Sequence, residues 1–141
     1  MIKFRHAVCI ICAILFSLPA LSQRFPESDY AMAWCDDNDG KQEYALPDQA
    51  RIDCWIPSKH WAVEVERISK PYEAVGQALF YAAAMSQMTK TPALPVVVFF
   101  DDNGDMTRFN RYFRRFKLAT TGLEFLVFCL DMQGNNFLCP D

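Results

Sequence analysis

Two neighbouring stretches of the chain place an apolar residue at every second position. In Arg51–Ile56, Ile52, Cys54 and Ile56 alternate with Arg51, Asp53 and Trp55. In residues 61–66, Trp61, Val63 and Val65 alternate with Ala62, Glu64 and Glu66. A period of two is the signature of a strand with one face buried. Pro57-Ser58-Lys59-His60 between them reads as a turn opened by proline, so the strands are expected to form an antiparallel hairpin. Pairing Ile56 with Trp61 sets Asp53 opposite Glu64 and Arg51 opposite Glu66.

Downstream the period lengthens to that of a helix. Ser69-Lys70-Pro71 reads as a helix start, with serine as the cap, proline in the first turn and Glu73 near the positive end of the dipole. Residues 71–88 contain no breaker except Gly76 and are rich in alanine, which lets a neighbouring element pack closely. On this helix Gln77 and Tyr81 each fall within about 20° of Lys70, so one stripe carries an ammonium, an amide and a phenol. A second helical pattern runs through RFNRYFRRFK, where Phe109, Tyr112, Phe113 and Phe116 form an aromatic face and Arg108, Arg111, Arg114, Arg115 and Lys117 a basic one.

The remaining segments complete a mixed arrangement. Residues 28–34 read as a short helix and 43–46 as a first strand. Leu94–Phe100 is a continuous apolar run after a helix, as a buried parallel strand should be. Residues 123–130 read as another buried strand, and Gln133-Gly134-Asn135-Asn136 as a turn into the last one. Asp101-Asp102-Asn103-Gly104-Asp105 lacks the ligand spacing and terminal glutamate of a calcium loop and is read as a turn, as is Asp36-Asp37-Asn38-Asp39-Gly40. The order is α-β-β-β-α-β-α-β-β: a single α/β domain with a mixed sheet and helices on its faces.

The amino terminus and the cysteines bear on location. Lys3, Arg5 and His6 precede an apolar core at 7–18, and Ala20-Leu21-Ser22 is a small-x-small cleavage site. This pattern predicts a signal peptide over residues 1–22, a mature domain over 23–141, and a periplasmic or secreted protein with no stable membrane association after cleavage. The alternative, a membrane anchor, would need a longer apolar run than this one. Two of the six cysteines would leave with the signal. Cys35, Cys54, Cys129 and Cys139 remain, and an even number in an exported chain implies two disulfides with three connectivities. The expected pairs are Cys35–Cys54, pinning the first helix to the sheet, and Cys129–Cys139, closing a C-terminal hairpin. A zinc site is the competing use, unsupported by any C-x-x-C or histidine pair.

Charge narrows the chemistry less. Losing Lys3 and Arg5 changes 14 basic against 17 acidic residues to 12 against 17, a net charge of about −5. That total is not the signature of a strong nucleic-acid binder, yet the basic helix concentrates positive charge on one stripe that can track phosphates. Its alternatives are an ordinary solvated face and a membrane-surface helix.

The hairpin acids raise a sharper question. Like charges opposite one another on a sheet face repel. A divalent cation between Asp53 and Glu64 would remove the repulsion, and oxygen ligands suit Mg²⁺ or Mn²⁺. The plain alternative is that both carboxylates point to water. For Glu66 the plain reading is a cross-strand ion pair with Arg51.

Taken together, these residues resemble the PD-(D/E)XK nuclease superfamily, whose fold is restriction-endonuclease-like and whose pattern is an acid on one strand, E-x-K on the next, then a helix. Asp53 matches the first acid and Glu64 the second. Gln77-x-x-x-Tyr81 resembles the helical Q-x-x-x-Y motif of the RecB-like branch, and the likeness covers roughly residues 43–100. The E-x-K lysine position holds Glu66 instead, and Lys70 on the helix is the natural replacement. Glu43 corresponds to the additional upstream acid of many members, with Glu66 a second such position. The resemblance implies an exported Mg²⁺- or Mn²⁺-dependent nuclease acting on DNA. Asp53, Glu64 and the Val65 carbonyl would hold the metal, Lys70, Gln77 and Tyr81 would serve catalysis, and Arg108, Arg111 and Arg115 would hold nucleic acid. The alternative is an inactive module of the same fold that binds a protein or nucleic acid.

Overall fold

The computed structural model describes residues 25–141, so the expected signal peptide lies outside the described residues. The elements are α1 (Glu27–Asp37), β1 (Lys41–Ala45), β2 (Arg51–Ile56), β3 (Trp61–Arg67), α2 (Pro71–Thr89), β4 (Leu94–Phe100), α3 (Met106–Ala119), β5 (Leu126–Leu130) and β6 (Asn136–Phe137). One sheet carries all six strands in sequence order. The meander β1-β2-β3 is antiparallel, β4 and β5 join parallel through the crossovers of α2 and α3, and β6 returns antiparallel. The molecule is a single α/β domain with a mixed open sheet.

The two sheet faces are packed unequally. On one, α2 and α3 cover the sheet, with Ala74 and Ala78 of α2 and Phe109, Phe113 and Phe116 of α3 meeting Val97 and Phe99. Each fully buried phenylalanine there contributes about 1.5–3 kcal/mol relative to exposure. On the other, α1 alone packs Tyr30, Ala31, Trp34 and Cys35 against Val63, Val65, Val96 and Val98. The aromatic spacing of α3 thus forms an inner face, and Arg111, Arg114, Arg115 and Lys117 are left exposed outside.

Several boundaries differ from the sequence reading. The first helix is longer than 28–34, because Pro26 caps it in extended conformation and Glu27 and Asp29 sit in its first turn. Ser69 does not cap α2; Lys70 does, with non-helical backbone and no side-chain capping bond, while the Ser69 hydroxyl donates to Asp102 at 3.2 Å. β5 begins at Leu126 rather than 123, and Leu126–Phe128 are only half-buried. Asp105 caps α3 by accepting from the Arg108 amide at 3.0 Å. Asp101–Asp105 is a turn whose Asp101 and Asn103 side chains accept from the Asn103 and Asp105 amides.

Both expected disulfides are present. Cys35–Cys54 ties α1 to β2, and Cys129–Cys139 ties β5 to the segment after β6. All four sulfurs are thereby used, which closes the zinc alternative for them. Gly40 lies against the first bridge: a Cβ there would collide with the sulfurs of both Cys35 and Cys54. The two bridges fit an oxidising, exported environment. No helix among the described residues is long and apolar enough to cross a membrane.

Candidate functional site

β2 and β3 pair at Ile56↔Trp61, Trp55↔Ala62 and Cys54↔Val63, and the ladder stops there. At Asp53 the strands part. The expected alternation breaks at the same place: Cys54 and Ile56 pack under α1, whereas Ile52 joins Trp55 in the core beneath α2. Glu43, bracketed by the pairs Gln42↔Cys54 and Tyr44↔Ile52, has a left-handed φ of 47° and turns β1 along with β2. A sheet normally resists such an opening because it strands backbone donors. Here the Asp53 carboxylate accepts the Val65 N–H at 2.8 Å in place of the missing ladder partner. N–H and C=O of one residue point to the same side of a strand, so the Val65 carbonyl faces the same fork.

Glu64 lies beside Asp53 in this opening and is 4 % exposed. The two carboxyls are close enough for each to act on the other's ionisation, and burial acts on them unequally. Burial, then the charges of Asp53 and Glu66, push Glu64 up to about 10. Burial pushes Asp53 up to about 6, opposed by the Val65 hydrogen bond. Glu64 therefore holds its proton to higher pH than Asp53 does. Tyr81, 9 % exposed on α2, is pushed up to about 12 by burial and by the charges of Glu64 and Asp53, so its phenol keeps its proton beside them.

Glu66 corrects the sequence reading. Arg51 pairs with Glu43 at 3.4 Å on the exposed side of β1, not with Glu66. The register explains this: Arg51 is held opposite Ala45 by β1, on the far side of the fork from β3. Glu66 is instead buried at 3 % exposure, its carboxylate 3.5 Å from Arg67 Nε and 3.7 Å from Lys70 Nζ. Burial pushes it up to about 7. Glu43, with its side chain more than half exposed, belongs to the surface pair with Arg51.

Lys70 stands at the cap of α2 rather than on a helical stripe. Its ammonium sits 2.8 Å from Glu73 and 3.7 Å from Glu66, and among the described residues no ion pair joins it to Asp53 or Glu64. Gln77 is exposed on α2, one turn before buried Tyr81. Arg108 is tied to Asp102 at 3.3 Å and flanks Tyr112 together with Arg115, whereas Arg111 is exposed.

Sequence reasoning missed Glu27. From the first turn of α1 its carboxyl lies 3.6 Å from Arg67 and helps to raise Glu66, Asp53 and Glu64. An acid in the first turn of a helix is too common a feature to have flagged it. Among the described residues no three His, Cys, Asp or Glu side chains gather as a ready-made metal ligand set. The metal-ligating potential rests on Asp53, Glu64 and the Val65 carbonyl. That all-oxygen set fits Mg²⁺, which binds through one or two carboxylates and keeps several waters. Comparisons with protein-family models, with curated proteins and with solved structures return no match to this chain.

Proposed function

We propose that this protein is an exported, Mg²⁺- or Mn²⁺-dependent nuclease of restriction-endonuclease-like fold that hydrolyses phosphodiester bonds in DNA. The observation that carries this reading is the fork: two adjacent carboxyls, Asp53 and Glu64, buried together where a strand pair opens. Burial favours the protonated form of such a pair, and a bound cation would take the place of the proton. An antiparallel three-strand meander followed by a helix and a parallel strand agrees with the nuclease fold.

Asp53 and Glu64, with the Val65 carbonyl, would hold the metal. When bound, it supplies a water of lowered pKa and stabilises charge on the scissile phosphate. Glu66 anchors Lys70 by charge, and a short swing of the lysine away from Glu73 would bring its ammonium toward a phosphate oxygen. Tyr81 keeps its proton and can donate it as a hydrogen bond. Gln77 is free to meet a flanking phosphate. Arg111 and Arg115 on α3 offer a sequence-independent hold on the strand.

The second reading is an inactive module of the same fold that binds a protein or nucleic acid. It is favoured by Glu66 at the lysine position and by the engagement of Lys70 with Glu73. One experiment separates the two. Oxidised mature protein is incubated with plasmid and with single-stranded DNA in Mg²⁺, Mn²⁺ or EDTA, alongside Asp53→Ala and Lys70→Ala. Metal-dependent cleavage lost in both variants is the expected result. No cleavage of either substrate by folded, metal-supplied protein would discard the DNase reading in favour of the binding module.

A further inference from the structure

The sheet opens a second time at its other end. β6 pairs with β5 only at Leu130↔Asn136 and Cys129↔Phe137. Continuing that register would bring Cys139 opposite Val127. The Cys129–Cys139 disulfide holds Cys139 at Cys129 instead, two residues out of step, so the tail cannot zip onto the rest of β5. The outer edge of Leu126–Phe128 therefore has no strand partner among the described residues.

The direction of the free backbone groups follows from the ladder. The Leu130 carbonyl accepts from the Asp101 amide at 2.9 Å, so it points toward β4. Carbonyls alternate along a strand, so Val127 presents its N–H and C=O to the open edge. Cys139 Sγ approaches that carbonyl at 3.9 Å. An oxidised sulfur carries no proton to donate, and the carbonyl stays unpaired. Beside this edge lies a cleft of about 440 Å³ lined by Trp34, Phe128 and Phe137, among others. It adjoins a second of about 280 Å³, whose charged lining residues are Asp29 and Asp37. No lysine or arginine lines either cleft.

We infer that β5 receives an extended segment of a protein partner by strand addition, with an apolar side chain in the larger cleft and lysine or arginine flanking it. The unpaired Val127 edge calls for an extended backbone. The aromatic floor calls for an apolar anchor, and the acidic rim sets the sign of the flanks. An acidic rim also repels nucleic acid, so this face and the basic face of α3 select different partners. The inference does not depend on the nuclease reading, since it uses none of the fork acids.

The test is a titration of full-length mature protein, followed by amide-resolved NMR, with a peptide of sequence Lys-Arg-Val-Phe-Val-Arg-Lys. Controls are the same peptide with Asp and Glu flanks, and a version N-methylated on the amides of one edge. Shifts centred on the Val127 amide are expected with the basic peptide. Affinity should fall by about tenfold or more with acidic flanks and in the Asp29→Asn, Asp37→Asn double variant, both of which leave the core untouched. The N-methylated peptide should lose binding, since backbone pairing supplies the affinity. Absence of shifts at Val127 at about 1 mM peptide would overturn the inference. So would equal binding of the acidic and N-methylated peptides, or concentration-dependent self-association that buries the β5 edge against a second copy.

Discussion

The sheet parts at two places, and the two openings are furnished in opposite ways. Between β2 and β3 the fork is closed chemically: Asp53 takes over the orphaned Val65 amide, Glu64 lies against it, and Tyr81 comes down from α2. Between β5 and β6 nothing takes over. Val127 keeps an unpaired edge beside an apolar cleft, and Asp29 and Asp37 line the cleft next to it. The helices account for the difference. α2 covers the first fork and buries it in low dielectric, where carboxyls interact strongly with a cation or a proton. α1 is short and pinned over β2 and β3, and it meets β5 only through Tyr30 and Trp34 against Leu130 and Phe128, which leaves the outer edge at Val127 uncovered. A broken strand pair thus becomes a charge site or a docking edge according to what lies above it.

The largest expected effect sharpens the first half of that comparison. Replacing Cys35 and Cys54 by serine should cost about 2–5 kcal/mol, since this bridge closes the longer loop and anchors α1 beside the fork. Removing Cys129–Cys139 should cost less, by about 0.6 kcal/mol on loop length alone (sequence separations of 19 and 10), and should let the tail zip toward Val127. Denaturant midpoints of the two double variants measure the difference; equal losses would break the claim that the first bridge is the structural one. Next in size, Gly40→Ala should destabilise by about 1–3 kcal/mol, because its methyl collides with both sulfurs of the first bridge.

A third prediction concerns pH. The fork acids are raised: Asp53 to about 6, Glu66 to about 7 and Glu64 to about 10. The folded state therefore holds protons that the unfolded chain has already released. Stability is fully present below the ordinary carboxyl range and is lost stepwise as pH rises through these values. In EDTA the melting temperature should fall between pH 5 and pH 9, and Mg²⁺ or Mn²⁺ should restore it by about 5 °C at the alkaline end. Glu64→Gln should flatten both dependences, as it removes the carboxylate that burial opposes. A metal shift that survives in Glu64→Gln would place the cation elsewhere.

The smallest effect belongs to the outer face of α3. Arg111→Ala and Arg115→Ala should each weaken DNA binding about equally for all sequences and lower the salt slope by about 1, with the melting temperature unchanged. An unchanged slope would make this helix an ordinary solvated surface.

What could be read from the chain before its fold was known follows the same division. The β3 alternation was legible because both faces of that strand are buried in register, with Trp61, Val63 and Val65 under α1 and Ala62, Glu64 and Glu66 under α2. The disulfides were legible from number and position. The fork was not: a period of two runs through Ile52, Cys54 and Ile56 without showing that Ile52 turns to the other face. The Arg51–Glu66 pairing failed for the same reason, since it extended a ladder past the point where it ends. Glu27 was invisible because only tertiary packing brings α1 over the end of β3. The open edge at Val127 was hidden as well, because an apolar run such as Leu126–Leu130 reads as fully buried whether or not a strand covers its far side.

One bond has a consequence in time. Cys54 immediately follows Asp53, and its sulfur is joined to the helix that delivers Glu27. Where thiols are kept reduced that bond is open, and nothing covalent holds the α1 end of the acid cluster to β2. Oxidation ties both sides of the cluster together in a single event. The geometry around Asp53 thus carries a dependence on the redox state of its surroundings from the moment the chain folds.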